Sequence, residues 1–265
     1  MNVTGSPWLT AALTTATLLA GQCNLYADEP AEQAYFVRAM EPSAFDAIKR
    51  MGAYLKSLPH LHVSAESNTD QVLDNGQVVQ FISHTDVLAV APDKLRITVS
   101  HGPYRKTLFY GARHFYLFDE GQRYYAEGAA APTINQLLDD MADQYGVVLP
   151  LADLLRWDAL NPERLGLVSA VHIGDEEIDG HLCAHYAYVM PNTDWQLWVR
   201  AGDKPLPCQL VIVRTDVPQM PRHTMRYQWM EEEAAPAEDF KFFPPVGTKA
   251  VPMQVIAPRK EDIKP

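Results

Sequence analysis

Positive charge is scarce in this sequence. Its 22 Lys and Arg stand against 33 Asp and Glu, a formal net charge of −11. The field that would draw in phosphate backbones or anionic lipid head groups is therefore absent, and nucleic-acid binding is disfavoured. Catalytic signatures are missing as well. There is no Gly-x-Ser-x-Gly elbow, no His-Glu-x-x-His, no phosphate-cradling Gly-x-x-x-x-Gly-Lys and no dinucleotide fingerprint, so no catalytic residue and no cofactor is assigned and the chain is read as a non-enzyme. Long apolar runs are also lacking. The stretch from Trp8 to Ala20 is apolar but too short to span a bilayer comfortably.

What is present is the composition of a protein with a real core, 47% hydrophobic and 21% charged, which excludes a disordered, collagen-like or multi-span membrane chain. The first charged side chain is Asp28, and Trp8 to Ala20 before it reads as the apolar region of a secretory signal, with small Ala27 as the cleavage point. Residues 1–27 are thus expected to be a signal peptide, residues 28–247 a single exported periplasmic domain, and residues 248–265 a loosely ordered tail. Cys23 follows Leu19-Ala-Gly-Gln22, which resembles a bacterial lipoprotein box, but Gln22 stands where that box wants Gly, Ala or Ser. The soluble form is therefore favoured over an outer-membrane lipid anchor.

Of three cysteines, only Cys183 and Cys208 remain after export, and an oxidising compartment makes a disulfide the first guess. Strand geometry opposes it. The two fall on the outer strands of a three-stranded meander, roughly 9.5 Å apart, beyond the roughly 7 Å Cα limit for a bridge. A bridge and two separate half-buried thiols are left as equal alternatives.

Phe45, Ile48, Met51 and Leu55 recur at helical spacing between Pro42 and Leu58, and Pro59 closes that helix. From His60 to Glu127 the period becomes two, with Asp74-Asn-Gly76 as a hairpin turn and Gly102-Pro103, Gly111-Ala112 and Glu120-Gly121 as punctuation. Ile134, Leu137, Leu138, Met141 and Tyr145 form a second stripe, capped by Thr133 and stopped by Gly146. A short helix over Pro150 to Trp157 turns Leu151, Leu154 and Leu155 inward. Strands resume from Val168 to Met230, and the acidic, Pro-rich residues from Glu231 onward read as loosely attached. The pattern is α+β: about eleven antiparallel strands with helices collected on one face.

The segment Ile178-Asp-Gly-His-Leu-Cys-Ala-His-Tyr-Ala-Tyr-Val, then Asp194-Trp-Gln-Leu-Trp-Val-Arg and Pro205-Leu-Pro207, resembles the strand, Trp-rich strand, Pro-x-Pro turn pattern of periplasmic lipoprotein carriers. Together with Ala47-Ile-Lys-Arg-Met-Gly-Ala-Tyr-Leu and Val147-Val-Leu-Pro-Leu-Ala-Asp-Leu-Leu, it is similar to an uncharacterised family of predicted periplasmic bacterial proteins, over roughly Pro42 to Gly247. The resemblance implies a LolA/LolB-like fold, an incomplete antiparallel β-barrel whose concave face is covered by helices over an apolar cavity. It brings no catalytic residue, and a carrier function rests on shared fold alone.

Alternation then nominates Leu95, Ile97 and Val99 on one strand, Trp195, Leu197 and Val199 on another, and Leu137 and Met141 on the covering helix as the lining for a hydrophobic ligand such as a lipid or acyl chain. The competing reading is that these residues simply form the core, leaving an envelope protein-interaction or sensor module with a closed interior. Nine histidines invite a metal, but His60 and His62 sit about 7 Å apart on one strand face and His181 and His185 about 13 Å apart along another, so no metal site is assigned. Cys183, His185 and Asp194 do not assemble a nucleophile either. A core cysteine beside a solvent-facing histidine is expected.

Overall fold

In the computed structural model, which describes residues 39–156, 166–231 and 233–255, the chain opens on the expected amphipathic helix. Helix α1 (Pro42–Ser57) starts with proline in its first turn and buries Ala44, Ile48, Met51 and Leu55. Leu58 is extended because Pro59 disfavours the helical conformation in the residue before it. The signal segment and Cys23 lie outside the described residues.

Strands β1 (His60–Val72) and β2 (Val78–Val90) form a long hairpin in register from His60 opposite Val90 to Val72 opposite Val78. Its turn is the Asp74-Asn-Gly76 signal, with Gly76 at φ +81°, where a side chain would be strained. The meander continues through β3 (Lys94–His101), β4 (Tyr104–Gly111), β5 (His114–Asp119) and β6 (Tyr124–Ala129). Helix α2 (Ile134–Tyr145) follows, with the Thr133 side chain accepting from the Gln136 amide and Gly146 ending it at φ +65°. The second short helix is only a 3₁₀ turn, Ala152–Leu155, with Leu151 and Leu154 buried and Leu155 half-buried; Trp157 is outside the described residues. A second meander comprises β7 (Ser169–Ile178), β8 (His181–Met190), β9 (Thr193–Arg200), β10 (Pro207–Arg214) and β11 (Arg222–Met230), and β12 (Lys249–Ala250) comes last.

These strands make one open, twelve-stranded sheet in the order β12-β6-β5-β4-β3-β2-β1-β11-β10-β9-β8-β7. Antiparallel pairing of β1 with β11 splices the two meanders, and only β12 runs parallel to its neighbour. The strand beyond the expected eleven comes from the segment read as a tail. That segment is held rather than loose as far as residue 251: Phe240 is buried, and the Lys249 and Val251 amides donate to the Arg123 and Tyr125 carbonyls. The Phe242 ring lies 5.2–5.4 Å from those of Phe109, Tyr116, Phe118 and Tyr125, supplying an apolar partner for aromatics otherwise aimed away from the helices.

Alternation along the strands gives the sheet two unequal faces. The buried stripes of α1 and α2 share a cluster with Val63, Leu95, Ile97, Leu108, Tyr110, Trp195 and Leu197. On the other face lies a smaller cluster of Ile178, Cys183, Trp198, Cys208, Val211 and Val213.

Candidate binding site

All eight residues nominated for a ligand fall on the helix-facing side and belong to or pack against one core cluster. Leu95, Ile97, Leu137, Met141, Leu197, Val199 and Trp195 are buried and Val99 is half-buried. They touch the protein's own side chains, and none lines the two clefts described next. Two phenols fasten this core. Tyr188 stacks on Trp195 with ring centroids 3.9 Å apart and donates to the Ala44 carbonyl of α1 at 2.8 Å. Tyr110 donates to the Ala131 carbonyl at 2.7 Å. Burial pushes the pKa of both hydroxyls up, because the phenolate would be poorly solvated there.

The first cleft, about 310 Å³, opens where the end of α1, the start of β1, the β2–β3 turn, the start of α2 and the 3₁₀ turn converge. Leu55, Leu58, Leu61, Ile134, Leu154 and Leu155 wall it, Ala89 and Ala91 lie in its lining, and Lys56, His60, Thr133 and Asn135 contribute polar groups. The frame is fixed by main-chain bonds: the Ala91 amide donates to the Pro59 carbonyl at 3.0 Å and the Ile134 amide to the Pro92 carbonyl at 2.8 Å. Alanines, where neighbouring rows carry valine, leave the hollow. Its volume is at the lower end of the range of small-molecule sites.

The second cleft, about 270 Å³, lies further along the same face of β1, β2 and β11. Its lining includes Ser67, Thr69, Ser83, Thr85 and His223, with Val148, Leu149, Pro150 and Leu151 opposite. Ser67 and Ser83 hydroxyls are 2.8 Å apart, and the Thr69 hydroxyl is 2.7 Å from His223 Nδ1. Desolvation holds the His223 pKa below the ordinary histidine value. This site is not among those expected from the sequence, although the sequence carries a signal for it: on β1 the inward positions run Leu61, Val63, Ala65 and then Ser67, Thr69, an interruption by hydroxyls where core residues are due.

The cysteines resolve to a bridge, Cys183–Cys208, with Cα atoms 6.7 Å apart. Regular strand spacing does not hold between them because the β9–β10 register shifts between Pro207 and Gln209, a bulge at Cys208 that bends the strand. His185 is not solvent-facing: it is buried, stacked on Trp198 at 3.9 Å, with Nε2 3.0 Å from Gln196 Oε1. Its Nδ1 lies 3.0 Å from Glu176 Oε1, in a geometry that does not make a hydrogen bond. His62 pairs with Asp86 at 2.9 Å. Among the described residues no three His, Cys, Asp or Glu side chains group as a metal site would require, and no helix is long and apolar enough to cross a membrane.

The class of protein is therefore an α+β domain built on a single open antiparallel sheet with helices packed against it. The chain belongs to the family described as predicted periplasmic protein (DUF2092), whose model matches residues 44–254, and its location is periplasmic. No curated protein matches it. Solved structures similar to it include the lipoprotein LppX of Mycobacterium tuberculosis (13% identity, 72% of this chain and 97% of that one, TM-score 0.44) and LprF of Mycobacterium bovis (13%, 75% and 98%, 0.43). A LolA superfamily protein from Nitrosomonas europaea is also similar (10%, 75% and 97%, TM-score 0.34).

Proposed function

We propose that this is a non-enzymatic periplasmic binding protein for a hydrophobic ligand, a lipid or the acyl part of a lipoprotein. In this reading the open sheet is the wall of an incomplete barrel, α2 with the 3₁₀ turn is its cover, and the first cleft is where the ligand enters. The observation that carries the reading is that cleft, a mainly apolar hollow of about 310 Å³ at the junction of cover and sheet.

In this reading the cover moves as a piece. Arg156 ties the 3₁₀ turn to α2 through Asp139 at 2.8 Å and the Asn135 carbonyl at 3.5 Å. Toward the sheet α2 presents an apolar stripe, Ile134, Leu137, Leu138 and Met141. Uncovering four such side chains costs about 6–12 kcal/mol at about 1.5–3 kcal/mol each, and an acyl chain replacing them recovers about 0.8 kcal/mol per CH₂. Roughly eight to fifteen methylenes would match the stripe. With the cover displaced, Leu95, Ile97, Val99, Trp195, Leu197 and Val199 on the sheet and Leu137 and Met141 on α2 become the ligand's contacts.

The test is purification from the periplasm, native mass spectrometry, organic extraction, and uptake of a fluorescent fatty acid by the delipidated protein. Wild type is expected to carry lipid and take up the probe, and Leu155→Trp, which fills the cleft from its rim, to weaken uptake about tenfold or more, the equivalent of about 1.4 kcal/mol. Absence of both bound lipid and uptake would sink the reading. An envelope protein recovered by crosslinking in that case would favour the interaction or sensor module.

A further inference from the structure

The helix-facing side of the β1–β2 hairpin changes character along its length. Leu61 sits opposite Ala89 and Val63 opposite Val87, and these rows are apolar. Two rows further on, Ser67 sits opposite Ser83, and Thr69 is flanked by His223 of β11. Thr85, opposite Ala65, begins the change. Hydroxyls at inward positions are costly unless something bonds to them, and Ser67 and Thr85 are only 9% and 4% exposed. Ser67 and Ser83 bond to each other and Thr69 to His223, which leaves each group further hydrogen-bonding capacity. They line the second cleft, about 270 Å³.

That cleft offers hydrogen bonds without charge. Among the described residues no Lys, Arg, Asp or Glu contributes to its lining, and burial favours the neutral imidazole of His223. An anion there would meet no cation, and a cation no carboxylate. A neutral group with hydroxyl or carbonyl oxygens would find donors and acceptors on one wall and an apolar surface on the other.

The opposite wall links the two clefts. Val148, Leu149, Pro150 and Leu151 face the second, and Leu154 and Leu155, a few residues on, face the first. Residues 148–155 thus lie between two openings on the same strand face, and Leu61 and Ser67 are separated along β1 by about 20 Å at about 3.4 Å per residue.

We infer that the second cleft is the head-group site for an amphipathic ligand whose head is uncharged and bears hydroxyl or ester-carbonyl oxygens, its tail lying beneath residues 148–155 toward the first cleft. This rests on the hydrophobic-ligand reading above and names the chemistry of the other end. The apolar rows receive the tail, and the hydroxyl rows fix the head and hence the direction in which the ligand lies.

The test is displacement of an uncharged apolar naphthylamine dye from the delipidated full chain by monopalmitoylglycerol and by palmitate, in wild type and in Ser67→Ala/Thr85→Val. Monopalmitoylglycerol is expected to displace the dye at about tenfold lower concentration than palmitate, and the double variant to cut that advantage to about threefold or less while palmitate shifts by less than about twofold, the scale of one or two hydrogen bonds. Ser83→Ala, at a half-buried wall position, gives the same readout should the double variant not fold. If palmitate and monopalmitoylglycerol displace the dye equally in wild type, or the advantage survives in the variants, the head-group site is overturned while the hydrophobic-ligand reading stands. If neither dye nor lipid binds at all, both fall.

Discussion

Removing the Cys183–Cys208 bridge by the double substitution Cys183→Ala/Cys208→Ala should cost a calculable part of the protein's stability. The bridge closes a loop of 25 residues, and releasing it returns about 12 cal/mol/K of chain entropy to the unfolded state, about 3.5 kcal/mol at 25 °C. Against the usual total of about 5–15 kcal/mol that is a large share. For a domain of this size it corresponds to a drop in Tm of about 7–14 °C. Both cysteines are almost fully buried, at 0% and 4% exposure, so alanine trades the sulfurs for a small apolar gap and leaves no unpaired polar atom. Urea unfolding of wild type and variant, followed by tryptophan fluorescence, measures the difference. The variant should also show a larger m-value, because its unfolded chain expands further without the crosslink. A loss below about 1 kcal/mol with an unchanged m-value would refute the reasoning and mean that the bridge constrains little that the meander does not already constrain.

Three other perturbations follow from single contacts. Gly128 faces the Phe115 ring so closely that a Cβ would lie 2.8 Å from it, and Phe115 is itself 1% exposed; Gly128→Ala should cost about 1–3 kcal/mol in a thermal melt, partly restored by Phe115→Leu. Tyr188→Phe removes the bond to the Ala44 carbonyl and should cost about 1–2 kcal/mol, with faster amide exchange in α1 as its local signature. His223 has a pKa held below 6.5 in the folded state, so the unfolded chain binds a proton where the folded chain does not; stability should decline as pH falls below 6.5 and level off below the folded value. His223→Gln should flatten that part of the profile, and an unchanged profile would contradict the assignment.

What was legible in the sequence was local. The spacing of Ile48, Met51 and Leu55 defined α1 because a helix turn returns the same face every three to four residues, and Asp74-Asn-Gly76 marked its hairpin because the turn needs a residue at positive φ. The splice of β1 to β11 joins segments some 160 residues apart, and no local preference encodes it. The inward direction of Leu95, Ile97, Trp195 and Leu197 was readable from alternation, but whether they enclose space is not. That depends on side-chain volumes brought together by the helices, and here those volumes meet. The hollows lie instead where small or hydroxyl residues interrupt the rows, at Ala89 and Ala91 and at Ser67 and Thr85.

The two flanks of the sheet are each occupied by the chain's own outlying segments. At β6 the flank is taken by Lys249–Ala250, and at β7 by residues 39–41, where the Glu41 amide donates to the Ala170 carbonyl and the Ala170 amide to that of Ala39. The remainder of β7 is kinked by a register shift before Gly174 and studded with Asp175, Glu176 and Glu177. Bare strand margins invite other chains to add on, and bulges and charges discourage them. Lateral growth of so broad a ribbon is thereby hindered from within, by stoppers so short that they add little to the body of the sheet.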